Sequence, residues 1–391
     1  MHHGTRLKCC LNLWKNMGNI KMHIINQGKV FKGSPNSELA KSCFPFAVKL
    51  SNGDLIVSFQ AASVKNGIDS KSLISRSNDN GLTWSQAEAV FDPTLNGKKG
   101  VLHLSYISEL QSGKLIAGIL WCDHYDDSSL EFFNAKTGGL LPTEACISFS
   151  EDNGKTWSKL KAIEKGDLGT IPTPVMGPVH RLESGCLILP FETSKSYDDE
   201  SVWLHKACYF VSYDGGKTWP KYKIVAHDPE CKIYYWDHRI ANLGRGKLVD
   251  LFWAYDAVNN KELNAYLSSS TDFGENWTRP EKTKIVGQPW PIPIDGDTFA
   301  VVAVDRNFTN TIKLYLTNNF GKDFNAAEAL IIYDNKKAAT VKTNLNDQLV
   351  EMTNWSYGLP SGCKLNDKEI LIVYYAGDSA GVDINWCKVK L

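Results

Sequence analysis

The run Tyr234-Tyr235-Trp236-Asp237-His238-Arg239 puts a carboxylate, a guanidinium, an imidazole and three aromatic rings directly ahead of an apolar strand ending in Leu243. On a strand alternate side chains share a face, so Asp237 and Arg239 are expected to point one way and Trp236 and His238 the other. Such a pair serves either as a ligand contact, with Trp236 or Tyr235 as stacking platform, or as a buried ion pair tying neighbouring elements together. A second cluster has His103, Ser105 and Tyr106 before a hairpin and Trp121-Cys122-Asp123-His124-Tyr125-Asp126-Asp127 after the next strand. Its His and Asp residues invite a metal reading, but the spacing matches no common ligand set, and no metal or other cofactor is expected. Asp123, at the end of an apolar strand, reads as a general acid or base if burial holds its proton, or as an ordinary turn residue. Asp69 and Glu192 are further candidate carboxylates, and Gln288, Trp290, Trp355 and Tyr357 stand just ahead of or within later apolar segments. His180, beside Arg181, reads as a satisfied structural histidine. Paired carboxylates flanking one bond are what hydrolysis at a sugar requires, and flat rings are what a pyranose face stacks on.

These residues recur at corresponding points because the chain is a repeat. Ser77 to Trp84, Ser150 to Trp157, Ser212 to Trp219 and Ser270 to Trp277 all obey S-x-D-x-G-x-x-W, and Thr317 to Phe324 is a worn fifth copy. The motif suits a self-stabilising turn: the Asp accepts backbone amides, Gly supplies positive φ and Trp packs beneath. Asp79, Asp152, Asp214 and Asp272 are therefore assigned structural roles. A second repeat interleaves with it: LSNGDLIVSF, LQSGKLIAGI, LESGCLILPF, LGRGKLVDLF, IDGDTFAVVA and LNDKEILIVY each place a tight turn before an apolar run. Units of this span predict an all-β, six-bladed β-propeller of four-stranded antiparallel blades. The run from Ile24 to Lys32 would supply the missing outer strand and close the ring. Residues 22–391 form that domain, and residues 1–21 fall outside the repeat as a disordered or non-native extension.

The four S-x-D-x-G-x-x-W turns resemble those of the Asp-box (BNR repeat) superfamily, whose best-known members are sialidases. The phrases WDHRIANL and YGLPSG are similar to those of uncharacterised bacterial sialidase-like proteins. The resemblance implies an active site at the propeller mouth, with three arginines on a substrate carboxylate, a Tyr nucleophile paired with a Glu, and an Asp acid/base on a loop. Asp69 and Tyr357 are the nearest positional matches to the last Asp and the Tyr. The Arg-Ile-Pro motif of the first inner strand is replaced by Ser42-Cys43-Phe44-Pro45-Phe46, and of the chain's arginines only Arg239 and Arg306 are placed for a central pocket, so the triad is not evident.

Bulk properties narrow the field. Lys plus Arg and Asp plus Glu both number 43 in 391 residues, which gives no general electrostatic reason to bind nucleic acid or an anionic membrane. The ten cysteines are scattered without a C-x-x-C and read as mostly free, buried thiols. The first 25 residues hold no apolar run of signal-peptide length, so a cytoplasmic location is expected. Nucleotide-binding and nucleophile-elbow motifs are absent. The expectation is an exo-acting glycoside hydrolase on a terminal sugar, acidic sugars included, with a small molecule or glycan as its partner. Asp123, Asp69, Asp237, Glu192 and Tyr357 are the candidate catalytic groups, and Arg239, His103, Trp236, His238, Gln288, Trp290 and Trp355 the binding groups. A glycan-binding propeller without catalysis and a protein-interaction propeller are the alternatives.

Overall fold

Each of the six turn-plus-apolar repeats folds as a hairpin. Lys41–Lys49 pairs with Leu55–Ala62, Val101–Gln111 with Lys114–Cys122, His180–Arg181 with Leu187–Glu192, Ile233–Gly244 with Lys247–Asp256, Gln288–Asp295 with Thr298–Asp305, and Tyr357–Asn366 with Glu369–Gly377, all antiparallel. The computed structural model describes residues 22–324, 328–336, 352 and 354–391. The extension proposed for residues 1–21 lies outside them.

The chain is all-β with a propeller-like arrangement. Four sheets of four main strands run along the sequence over residues 101–162, 180–226, 233–286 and 288–334, the third also carrying the short strand Lys261–Glu262. A seven-stranded sheet joins the two ends of the chain: Tyr357–Asn366, Glu369–Gly377, Val382–Lys390, Lys41–Lys49, Leu55–Ala62 and Lys71–Ser77 in that order, with His23–Phe31 added along Val382–Lys390. Among the described residues one parallel pair, Lys41 with Val382, bridges its two halves. The first strands of the hairpins lie against one another in turn. Ile233–Gly244 contacts Gln288–Asp295, which contacts Tyr357–Asn366, which contacts Lys41–Lys49. The second strands are the apolar centre of each sheet: Leu55–Ala62 and Leu187–Glu192 are buried along their whole length. The apolar faces of adjacent sheets pack on each other, at about 1.5–3 kcal/mol per fully buried large side chain.

The repeated Asp turns are local clamps. Asp152 Oδ1 accepts from Ser150 Oγ at 2.8 Å and Thr156 N–H at 2.9 Å, while Oδ2 accepts from Thr156 Oγ1 at 2.6 Å. These bonds hold its carboxyl down to about 2. Asp79, Asp214 and Asp272 repeat the pattern, the first two with a Thr and the last with Asn276. The turns also join sheets, since Arg76 donates to the carbonyls of Asn153 at 2.9 Å and of Gly154. The worn fifth copy keeps the turn through Gly321 (φ +83°) and a buried Phe324 where the others have Trp. All eight cysteines in the described residues are free, and five of them are buried.

One feature of the inner strands departs from simple alternation. Pairing skips between Cys43 and Phe46, between Trp236 and Arg239, and between Gly358 and Ser361. Each skip is a β-bulge containing a residue at positive φ: Phe44 (+55°), Asp237 (+48°) and Leu359 (+34°). An extra residue re-aims the side chains around it. The expectation that Asp237 and Arg239 oppose Trp236 and His238 is therefore corrected: Trp236, Asp237 and Arg239 all face the central pocket, and His238 alone turns into the core.

Candidate active site

The three bulges deliver Phe44, Asp237 and Leu359 to the wall of one cavity of about 1000 Å³, counted out to its open mouth. Glu192, at the end of Leu187–Glu192, comes to the same wall, and its Oε2 accepts the backbone N–H of Asp237 at 2.9 Å. Trp203, Trp236, Trp290 and Trp355 supply the aromatic surface.

The two carboxyls sit in different surroundings. Burial would raise Glu192, but His205 Nε2, 3.3 Å from Oε2, together with the charge of His238 and the Asp237 amide holds it below the usual range. Burial raises Asp237, and the Glu192 charge adds to that; Arg239 and Arg306 offset only part, so its carboxyl stays above the usual aspartate range. Asp237 Oδ1 accepts from Arg239 NH2 at 3.2 Å, and Oδ2 accepts from Gln288 Nε2. A quarter of the Asp237 side chain is exposed, against a tenth of that of Glu192. One carboxyl pushed up beside one held down, at a single wall, is the kind of separation that proton-transfer catalysis draws on.

Cations surround the pair. Arg239 is fixed by the carbonyls of Met176 (2.8 Å) and His238 (3.0 Å) and lies over the Trp290 ring. Arg306 stacks 3.7 Å from the centroid of the Trp355 ring and donates to Gln288 Oε1 at 3.3 Å. Lys65 lines the pocket amid the Phe44, Trp355 and Tyr375 rings, donates to Tyr375 Oη at 3.3 Å and to the Met352 carbonyl, and burial lowers its pKa to about 8. Three buried donors here have no partner among the described residues: Arg239 Nε, Trp236 Nε1 and Trp355 Nε1. Buried donors are costly when unpaired, which points to a ligand rich in oxygen acceptors.

Of the residues singled out from sequence, Glu192, Asp237, Arg239, His103, Trp236, Gln288, Trp290 and Trp355 line this pocket. Four do not. Asp123 is paired with Lys98 at 2.6 Å and caps its own turn through Tyr125 N–H. Asp69 accepts Ser63 N–H at 2.9 Å, closing the loop that carries Lys65. Tyr357 donates to Asn310 Oδ1 at 3.0 Å, leaving Tyr375 as the phenol beside Lys65 and Arg306. His238 donates from Nδ1 to Asp250 Oδ2 at 2.7 Å and from Nε2 to the Phe191 carbonyl at 2.9 Å, which locks the bulge from behind. Lys65, Trp203 and Met176 were missed. Lys65 carries no signal, because SVKNGID reads as an ordinary polar loop; Trp203 stands out only as an aromatic in a polar stretch.

Comparison with known proteins agrees with this architecture. The BNR repeat-like domain family matches residues 132–288. No curated protein matches the sequence. Among solved structures, a protein of unknown function from Dyadobacter fermentans shares 17% identity at a TM-score of 0.73, covering 95% of this chain and 100% of that one. A mutant of the NanB sialidase of Streptococcus pneumoniae shares 16% identity at a TM-score of 0.61, covering 92% of this chain and 70% of that one. The α-L-arabinanase of Penicillium chrysogenum, complexed with arabinobiose, shares 15% identity at a TM-score of 0.59, covering 93% and 98%. Identities this low speak to fold alone. With its repeated Asp turns, the chain resembles the Asp-box (BNR) propellers: the family model matches residues 132–288, and these neighbours share the fold.

Proposed function

We propose that this protein is an exo-acting glycoside hydrolase for a terminal acidic sugar, built on a six-bladed propeller that the N-terminal strand closes. Six hairpins, with contacts running from Ile233–Gly244 through Gln288–Asp295, Tyr357–Asn366 and Lys41–Lys49 to Val101–Gln111, support the blade count, the seven-stranded sheet being two blades joined at Lys41 and Val382. The pairing of His23–Phe31 with Val382–Lys390 supports the closure. The observation that carries the chemistry is the Glu192 and Asp237 pair, with pKa values moved in opposite directions at one pocket wall. Asp237 protonates the leaving oxygen as general acid. Glu192 acts as the ionised partner that stabilises the oxocarbenium-like transition state or activates its attacker. Arg239, Arg306 and Lys65 favour a carboxylate-bearing ring, and the tryptophans hold its apolar face.

A second reading, a glycan-binding propeller without turnover, draws on one feature. Arg239 is already tied to two carbonyls and to Asp237, as a purely structural ion pair would be. The two readings separate on a panel of aryl glycosides that includes sialosides, uronides and neutral sugars. Hydrolysis of an acidic member in preference to its neutral counterpart is expected. Binding of glycans with no turnover of any member would leave the second reading standing.

A further inference from the structure

We propose that His103, Cys122 and His124 form a metal site for a zinc-class divalent cation in the wall of the pocket, a site separate from the carboxylate pair. One nitrogen of each imidazole and the Cys122 sulfur lie within 4.8 Å of one another, and all three residues are buried. The fold brings them together by pairing. Val101 is opposite Cys122 on neighbouring strands, so His103, in an irregular step of the register, faces the end of Lys114–Cys122 and the segment that carries His124.

The geometry suits a shared ion better than a direct bond between the rings. His103 Nε2 and His124 Nε2 are 3.4 Å apart, longer than an ordinary N–H hydrogen bond. Two ligands on a tetrahedral ion with metal–nitrogen bonds of about 2.0–2.1 Å are separated by about 3.3 Å. His124 has no other employment, since its Nδ1 is buried without a partner among the described residues. His103 is oriented from behind by the Gln60 carboxamide at 2.6 Å. The carboxamide oxygen of Gln60 is itself unpartnered. Rotating that amide would let the oxygen accept Nδ1–H, which frees Nε2 for a metal; this is the usual support for a metal-bound imidazole. Two imidazoles and one thiol are a borderline-soft set that selects zinc over calcium or magnesium.

Binding forms two metal–nitrogen bonds and one metal–sulfur bond, and breaks the Cys122 S–H bond with release of its proton to solvent. Three protein ligands leave a fourth position for water or a ligand group, and His103 also lines the cavity.

The test uses the full chain carrying Cys9→Ser and Cys10→Ser, so that those thiols cannot contribute, stripped with a chelator and titrated with Co²⁺ and then Zn²⁺. Saturable Co²⁺ uptake with thiolate-to-metal charge-transfer absorption is expected, displaced by Zn²⁺. Cys122→Ser should abolish that absorption, and His124→Ala should weaken Zn²⁺ binding by at least about tenfold. Should Cys122→Ser fail to fold, His124→Ala decides, since residue 124 follows the strand and can lose its side chain without disturbing a sheet. Absence of a saturable thiolate band in the parent, or unchanged binding in His124→Ala, overturns the proposal whether or not the protein cleaves a sugar.

Discussion

Replacing Asp250 by Asn should unfold the protein at markedly lower temperature. Asp250 and His238 have no side-chain exposure, and Oδ2 and Nδ1 are 2.7 Å apart. Both ring nitrogens of His238 face acceptors, the second being the Phe191 carbonyl, which favours the protonated ring, while burial pushes the Asp250 carboxyl up as well. Burial alone would lower its pKa, but Asp250 and the carbonyl reverse that, and the net shift is upward. Removing one member of such a buried pair costs about 3–5 kcal/mol. With an unfolding entropy of about 2.1 cal/mol/K per residue over a chain this long, each kcal/mol is worth about 1.2 °C, and the melting temperature falls by roughly 4–6 °C. Because the folded pKa is raised, the pair's contribution is complete below about 6.5, the free histidine value, and is lost as pH rises through the folded value. Melting curves followed by intrinsic tryptophan fluorescence from about pH 6 to about pH 9 should therefore show wild type losing stability towards alkaline pH, with Asp250→Asn lower and flatter. The apolar pair His238→Phe with Asp250→Leu should recover part of the loss. A variant that melts within about 2 °C of wild type and keeps its pH slope would refute the imidazolium lock.

Other expectations follow from the same geometry. Tyr357→Phe loses one hydrogen bond to Asn310, worth about 1 kcal/mol, and should keep its kcat, since its hydroxyl is turned from the pocket. Asp152→Ala should lower the melting temperature and leave kcat intact at permissive temperature; its carboxyl is held down to about 2, so its contribution is present above the free aspartate value and fades as pH falls through about 2. Lys65→Met should raise KM for an acidic sugar about tenfold or more while leaving a neutral analogue almost unchanged, measured by steady-state kinetics on the matched pair. In wild type the Lys65 ammonium is lost as pH rises through about 8, so KM for the acidic sugar should climb there and the variant should not show that rise.

The hairpins and Asp turns were legible because both are local: a Gly at positive φ, an Asp receiving its own loop's amides and an apolar run announce themselves within ten residues or so. Glu192, Arg239 and the tryptophans were legible because a propeller collects inner-strand ends at one mouth. The bulges were not. Phe44, Asp237 and Leu359 adopt left-handed backbone at register skips within their own hairpins, and no local signal separates Asp237 from its neighbours on an alternating strand. Asp123 misled because a strand-end carboxylate looks the same from sequence whether it faces a pocket or Lys98. Lys65 was hidden for the opposite reason: its aromatic cage is assembled from Phe44, Trp355 and Tyr375, which lie far apart in the chain.

The most direct test of the central claim is the pH dependence of kcat/KM on the preferred aryl glycoside for wild type, Asp237→Asn and Glu192→Gln. Wild type should give a bell, its acidic limb set by protonation of Glu192 below the usual glutamate range and its alkaline limb by ionisation of Asp237 above the usual aspartate range. Each variant should lose about 10²–10⁴ in rate along with its own limb. Folded variants that retain wild-type turnover with both limbs in place would contradict the assignment of Glu192 and Asp237 as the working pair.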